Sequence, residues 1–179
     1  MRRVVYFIIG IVVFCSVGIP VEIAIIKRLY PEPCTYFTPG LSCEEEIWAH
    51  IEGADTIDIA VYSITNDNIV FAIEEAYQRG AKIRIITDYL QSQGRNSLVP
   101  KLRDMGIPIR TNKSEKTNKL IHKIMHNKFA IFNNKYVETG SYNWTNSATQ
   151  RNAENCIFLE NVERKYMREF EKLWRLYEN

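Results

Sequence analysis

Five segments between residues 56 and 110 constrain the fold of this chain more than any other feature. "TIDIAVYSI" (56–64) partly alternates and is rich in β-branched residues, which predicts a strand. In "TNDNIVFAIEEAYQRG" the spacing predicts a helix over 67–79, capped by Thr65 or Asn66 and closed at Gly80. "AKIRIITD" (81–88) is the next strand, "SLVPKLRDMG" (97–106) a broken or late-starting helix, and "IPIR" (107–110) a short strand. Strand, helix, strand, helix, strand predicts an α/β fold with a parallel component, because parallel neighbours need a crossover and helices supply it.

The flanks extend this pattern. Ser42, with Glu45 three residues later, predicts a capping box that opens a helix over 43–52. "NKFAIF" (127–132) and "KYVET" (135–139) flank Asn133-Asn134, which predicts a hairpin. "NWTNSAT" reads as a short helix or turn, and "AENCIFLE" (153–160) as a strand. A long helix over 161–177 carries Tyr166, Phe170, Leu173, Trp174 and Tyr177 on one packing stripe.

The first residues follow a different rule. Residues 4–21 contain no charge; Glu22 interrupts, and the apolar run resumes to Ile26. Arg2 and Arg3 precede it, and Lys27 and Arg28 follow. The length suits a membrane span, while the basic start also suits a secretory signal peptide. We expect an N-terminal transmembrane or signal helix over 1–28, a linker and first strand over 29–40, and one folded domain over 41–179. The long apolar run favours an uncleaved membrane anchor. The rival reading exports the domain to the periplasm or outside the cell.

Four cysteines bear on the same question. Cys15 lies in the apolar run, and Cys156 reads as a core thiol. Cys34 and Cys43 could close a small disulfide loop in an exported domain, or stay free in a cytosolic one. No CxxC or His/Cys cluster suggests zinc. The net charge of +2 announces no global field for a polyanion. Locally, Arg110, Lys113, Lys116, Lys119, Lys123 and Lys128 outweigh Glu115, giving +5 over 110–128 with His122 and His126 in addition. This segment is either a solvated loop or a basic lip that receives a phosphate-rich partner.

Residues able to do chemistry gather after position 125. On a strand, His126 and Lys128 share a face with Ala130 and Phe132, while Asn127, Phe129 and Ile131 share the other. Ser141 and Asn143 repeat that spacing after Gly140, where glycine allows a tight bend or close backbone approach. Asn152 and Glu154 repeat it again. The residues alone leave two readings: satisfied structural groups, or a phosphate-handling centre.

"HNKFAIFN", then six residues, "GSYN" and the later "NAEN" resemble the signature of the phospholipase D superfamily. The likeness is to its small single-motif branch of bacterial periplasmic endonucleases, short phospholipase D proteins and mitochondrial cardiolipin-hydrolase-like nucleases. It spans about residues 35–177. It implies an α-β-α sandwich with a mixed, largely parallel central sheet. It implies phosphodiester hydrolysis through a phosphohistidine, without metal or other cofactor, in a homodimer that pairs two copies of the motif across one phosphate. It assigns catalysis to His126, Lys128 and Asn143, with Glu154 fixing the imidazole tautomer and Ser141 assisting by a hydrogen bond. Gly140 and Asn133 would support the motif, and Lys113, Lys116, Lys119, His122 and Lys123 would bind substrate. Asn133 stands where the family carries Asp, which opens a further reading as a non-catalytic binding protein. Substrate is expected to be DNA or RNA, with membrane phospholipid as the alternative and the N-terminal segment as a membrane contact.

Overall fold

In the computed structural model, which describes residues 33–114 and 116–178, the β-branched runs form one sheet with the strand order β1-β7-β6-β5-β2-β3-β4. The strands are β1 (Cys34–Phe37), β2 (Thr56–Val61), β3 (Lys82–Thr87), β4 (Ile109–Thr111), β5 (Lys128–Phe132), β6 (Tyr136–Gly140) and β7 (Asn155–Glu160). The helices are α1 (Ser42–Glu52), α2 (Asp67–Gln78), α3 (Tyr89–Ser92), α4 (Val99–Asp104), α5 (Asn146–Gln150) and α6 (Glu163–Leu176). The N-terminal transmembrane or signal helix expected over 1–28 lies outside the described residues. Among the described residues no helix is long and apolar enough to cross a membrane.

The expected largely parallel sheet is not what forms. Only β2–β3 and β3–β4 are parallel, joined by the predicted helical crossovers. β1–β7, β7–β6, β6–β5 and β5–β2 are all antiparallel. The reason is local. From residue 128 onward the chain turns back through a tight hairpin, where Asn133 and Asn134 take left-handed φ values of 52°. Asparagine tolerates that conformation, and a short turn can only return the chain antiparallel.

Both faces of the sheet are covered, which explains its near-continuous apolar strands. Ile57, Ile59, Ala130 and Phe132 pack toward α1, α2, α4 and α5, with Ile47, Ile51, Ile69, Ile73 and Leu102. Ala60, Ile86, Phe129 and Ile131 pack toward α6, with Phe170, Leu173 and Tyr177. The predicted stripe on α6 is thus a packing face. Arg84 reinforces it by a two-pronged bond to Asp58 (2.8 and 2.7 Å) and a bond to Glu171 (2.6 Å). Asn66 caps α2 as expected, accepting from the Asn68 and Ile69 amides at 2.9 and 3.0 Å. The Ser42 capping box does not form: Leu41 is the N-cap, and the Ser42 hydroxyl donates back to the Phe37 carbonyl.

The disulfide also differs from expectation. Cys34 is exposed on β1 and has no disulfide partner among the described residues, while Cys43 on the inner face of α1 is bonded to Cys156 on β7. Their Cα atoms are 6.0 Å apart, and the cross-link spans 113 residues. Cys156 is therefore not a free core thiol. Replacing Cys43 and Cys156 together by Ala should lower the unfolding free energy by about 2–5 kcal/mol. Cys34→Ala should change it by less than about 0.5 kcal/mol. Urea denaturation of the oxidised protein measures both; equal effects would place the cross-link elsewhere.

Candidate active site

Strand register decides which polar residues meet. Val61 pairs with Lys128, Phe129 with Thr139, and Gly140 with Cys156. The end of β2, the start of β5, the end of β6 and the start of β7 therefore lie along one edge of the sheet. Residues just beyond these ends are Tyr62, His126, Ser141, Asn143 and Glu154. Distance in sequence disappears there because four antiparallel neighbours end together.

His126 is exposed, and Lys128 is half-buried beside it. Lys128 Nζ lies 3.3 Å from His126 Nε2 and donates to the His126 carbonyl at 3.1 Å. An ammonium can only donate, so this contact puts the ring's lone pair on Nε2 and its proton on Nδ1. Tyr62 packs edge-on against the imidazole, with ring centres 4.7 Å apart, and the lysine sits 5.2 Å over the same phenol ring. Burial lowers the Lys128 pKa, and the nearby Glu154 charge opposes that shift. A cavity of about 480 Å³ opens between His126, Lys128 and Gly140 on one side and Lys165, Tyr166 and Glu169 of α6 on the other. A larger cavity of about 530 Å³, beside Thr56, Lys82 and Asn134, lies at the opposite end of the strands and holds none of these groups.

The Gly-Ser-Tyr-Asn segment is clamped to β7. The Ser141 and Tyr142 amides both donate to the Asn155 carbonyl, at 3.1 and 3.2 Å, and the Ser141 hydroxyl accepts from the Asn155 amide at 3.1 Å. A side chain at Gly140 would collide with that same carbonyl, so only glycine permits the approach. From below, Tyr142 shares a hydrogen bond with Thr149 (2.6 Å), and Glu44 accepts from Asn66 (2.5 Å), Asn68 (2.7 Å) and Thr149 (3.3 Å). This buried network holds Tyr142, the neighbour of Asn143 in the chain. The Asn143 side-chain oxygen Oδ1 is buried and has no partner among the described residues.

Other sequence-predicted residues are placed differently. Glu154 accepts from Asn152 at 3.0 Å rather than from His126, so the tautomer-fixing bond is not made within this chain. The Thr38 hydroxyl holds its backbone, accepting from the Glu154 amide at 3.1 Å. His122 is bonded to the Tyr177 hydroxyl at 2.6 Å, and Lys113 turns to the Tyr89 hydroxyl at 2.9 Å. Lys116, Lys119 and Lys123 are exposed. Asn133 lies at the far end of β5, about 20 Å from His126 at strand rise. Its side chain accepts from the Asp55 and Thr56 amides (2.8 and 3.2 Å) and donates to the Gly53 carbonyl (3.1 Å). It fastens the hairpin turn to the entry of β2, and an amide does so by accepting and donating where a carboxylate only accepts.

Sequence reasoning missed Tyr62, Thr38, Asp88 and Glu138. Asp88 accepts from the Met125 amide at 3.0 Å and so fixes the approach to His126. Its signal was available, as an Asp at the end of a strand before a helical turn. Glu138 carried none, since "KYVET" reads as alternating. It is fully buried on β6 between Ala130 and Phe158. Burial pushes its carboxyl up to about 8. The Trp144 indole lies near enough to offset part of that, yet neither Glu138 oxygen nor the indole nitrogen has a partner in hydrogen-bond geometry among the described residues. Among the described residues, no group of three or more His, Cys, Asp and Glu is placed to share a metal ion.

Comparison with known proteins agrees with this geometry. Residues 47–174 match the family model described as "Cardiolipin synthase, PLD-like domain". The chain is 36% identical over 124 residues to a mitochondrial cardiolipin hydrolase of Chlamydomonas reinhardtii, covering 68% of this chain and 52% of that protein. It is 31% identical over 146 residues to the Mus musculus mitochondrial cardiolipin hydrolase, covering 79% and 62%. The chain thus spans about half the length of the curated relatives it matches. The crystal structure of a phospholipase D family member, Nuc from Salmonella typhimurium, superposes with a TM-score of 0.72 at 28% identity, covering 82% of this chain and 97% of that one. This chain belongs to the phospholipase D-like domain family of phosphodiesterases.

Glu138 gives the domain a pH signature. The folded carboxyl keeps a proton that the unfolded chain releases, so stability should fall as pH rises from about 4.5 and level off above about 8. Glu138→Gln should flatten that slope and raise stability at its alkaline end. Urea midpoints at the two ends of the window test this; parallel slopes in both proteins would show that Glu138 is not buried as described.

Proposed function

We propose that this chain hydrolyses phosphodiester bonds of membrane phospholipids, with cardiolipin-like anionic glycerophospholipids as the favoured class. The reaction site is the His126–Lys128 pair on the open edge of the sheet. Likeness to mitochondrial cardiolipin hydrolases is the observation that carries the lipid reading. The uncharged sequence 4–21 favours it too, because it would bring the domain to a bilayer. A buried disulfide suits an oxidising compartment and hence an anchored or exported domain.

Two copies of the chain supply two imidazoles to one phosphate, through a two-fold contact at this edge. His126 Nε2 of one copy attacks phosphorus, and the phosphorus–oxygen bond to the leaving alcohol breaks. The His126 ring of the second copy, carrying a proton on Nε2 as well as on Nδ1, gives the Nε2 proton to that oxygen. The same ring then takes a proton from water, whose oxygen attacks phosphorus and breaks the phosphorus–nitrogen bond. A phosphatidic acid leaves with both histidines restored. Lys128 releases Nε2 and donates to a non-bridging oxygen, with the Asn143 amide beside it. Glu154, near Lys128, maintains the ammonium's charge. No step calls for a metal.

A second reading, cleavage of DNA or RNA, draws on the exposed Lys116, Lys119 and Lys123 beside the site. A side-by-side assay of the full chain on cardiolipin vesicles and single-stranded DNA, in chelator, separates the two. The lipid is expected to be the faster substrate, with His126→Ala costing at least about a thousandfold in rate. DNA cleavage without lipid hydrolysis would move the conclusion to the second reading. Full turnover by His126→Ala, or loss of turnover in chelator that added metal restores, would overturn the mechanism.

A further inference from the structure

The segment between β4 and His126 is pinned through its backbone and exposes two aliphatic side chains among its lysines. Asn112 accepts from the Tyr89 amide at 2.7 Å and donates to the His122 carbonyl at 3.0 Å. The Ile121 amide donates to the Asn112 carbonyl at 2.7 Å, and the Ser114 amide to the Lys119 carbonyl at 2.9 Å. Met125 is buried, and Ile121 packs on the α6 side of the core. The His122 ring is held by Tyr177 and the Met125 amide by Asp88. These contacts fix the backbone without using the residues between them. Leu120 and Ile124 are left 43% and 50% exposed, and Lys116, Lys119 and Lys123 stand exposed around them.

A loop that only receives phosphates has no use for two outward aliphatic side chains. A loop that enters the boundary between headgroups and acyl chains needs both kinds: aliphatic groups to leave water, and lysines to meet anionic headgroups. The loop ends two residues before His126, so whatever it sits on also meets the reacting histidine.

We propose that residues 116–124 are a membrane-docking loop, with Leu120 and Ile124 inserting into an anionic bilayer and Lys116, Lys119 and Lys123 contacting its headgroups. The inference deepens the lipid reading above and rests on it. Docking of this loop presents headgroup phosphates to the His126–Lys128 edge. Each lysine at an anionic surface contributes roughly fivefold to partitioning, and each inserted aliphatic side chain about tenfold. Together they favour one orientation of the domain at the bilayer.

Two measurements on the full chain separate docking from catalysis. Leu120→Trp is mixed with phosphatidylcholine vesicles, with and without phosphatidylglycerol, carrying brominated acyl chains. Strong quenching that grows with phosphatidylglycerol is expected, while Phe71→Trp, on the distant α2 surface, stays unquenched. Equal quenching of the two, or none at position 120, overturns the loop whether or not the lipid is hydrolysed. The second measurement pairs Leu120→Ser with Ile124→Ser. The double variant should lose at least about tenfold in hydrolysis of vesicle lipid, while its rate on a soluble short-chain phosphatidylglycerol stays within about twofold of the parent. An equal loss on both substrates, or a loss confined to DNA cleavage, overturns the proposal. If the parent fails on every lipid while Leu120→Trp is still quenched, the catalytic reading fails and the docking surface stands.

Discussion

Antiparallel pairing of β5 with β2 and β6 is the constraint on which the site depends. Val61 opposite Lys128, and Phe129 opposite Thr139, bring residues from separate stretches of chain to one edge. A slip of one residue in β5 would exchange Ala130 and Phe132 with Phe129 and Ile131 between two different cores, so burial on both faces locks the register. The same lock fixes His126 against Tyr62. The geometry of this sheet edge is inherited from hydrophobic packing.

The site is also held from three directions by polar contacts that do not face the substrate. Asp88 fixes the chain entering β5, Asn155 clamps the Gly-Ser-Tyr-Asn segment, and Glu44 binds the turn beneath Tyr142. The disulfide adds a covalent tie at Cys156, next to Asn155. Fixed donors need no reorganisation as charge develops in a transition state, and this support supplies that rigidity. Glu138 and Trp144 are the exception: a buried acid and an indole without hydrogen-bond partners among the described residues.

Local signals were legible in the sequence. The two-residue spacing of His126 and Lys128, the Asn66 cap, the Asn133-Asn134 turn and the α6 stripe all depend on neighbours within a few residues. Partners far apart in the chain were not. The spacing of Cys34 and Cys43 suggested a local loop, whereas Cys43 meets a strand that follows 113 residues later. Sheet direction failed for the same reason. The helical crossovers before residue 110 announce parallel strands, but nothing local says that the hairpin after residue 127 joins the sheet beside β2. Tyr62 became visible only once Val61 was seen opposite Lys128. Asn133 was expected to support the motif, and its contacts, with Gly53, Asp55 and Thr56 at the other end of the strand, were not legible in that spacing.

The central claim is that this sheet edge makes His126 a nucleophile toward phosphorus. It is tested most directly by rapid quenching of the full chain during turnover of phospholipid radiolabelled in the phosphate, followed by mass spectrometry of peptides kept at alkaline pH. The account predicts a transient phosphoryl adduct on the His126 ring that forms and decays at the rate of turnover. Labelled adduct on another residue, or turnover with no adduct on any residue, would contradict it.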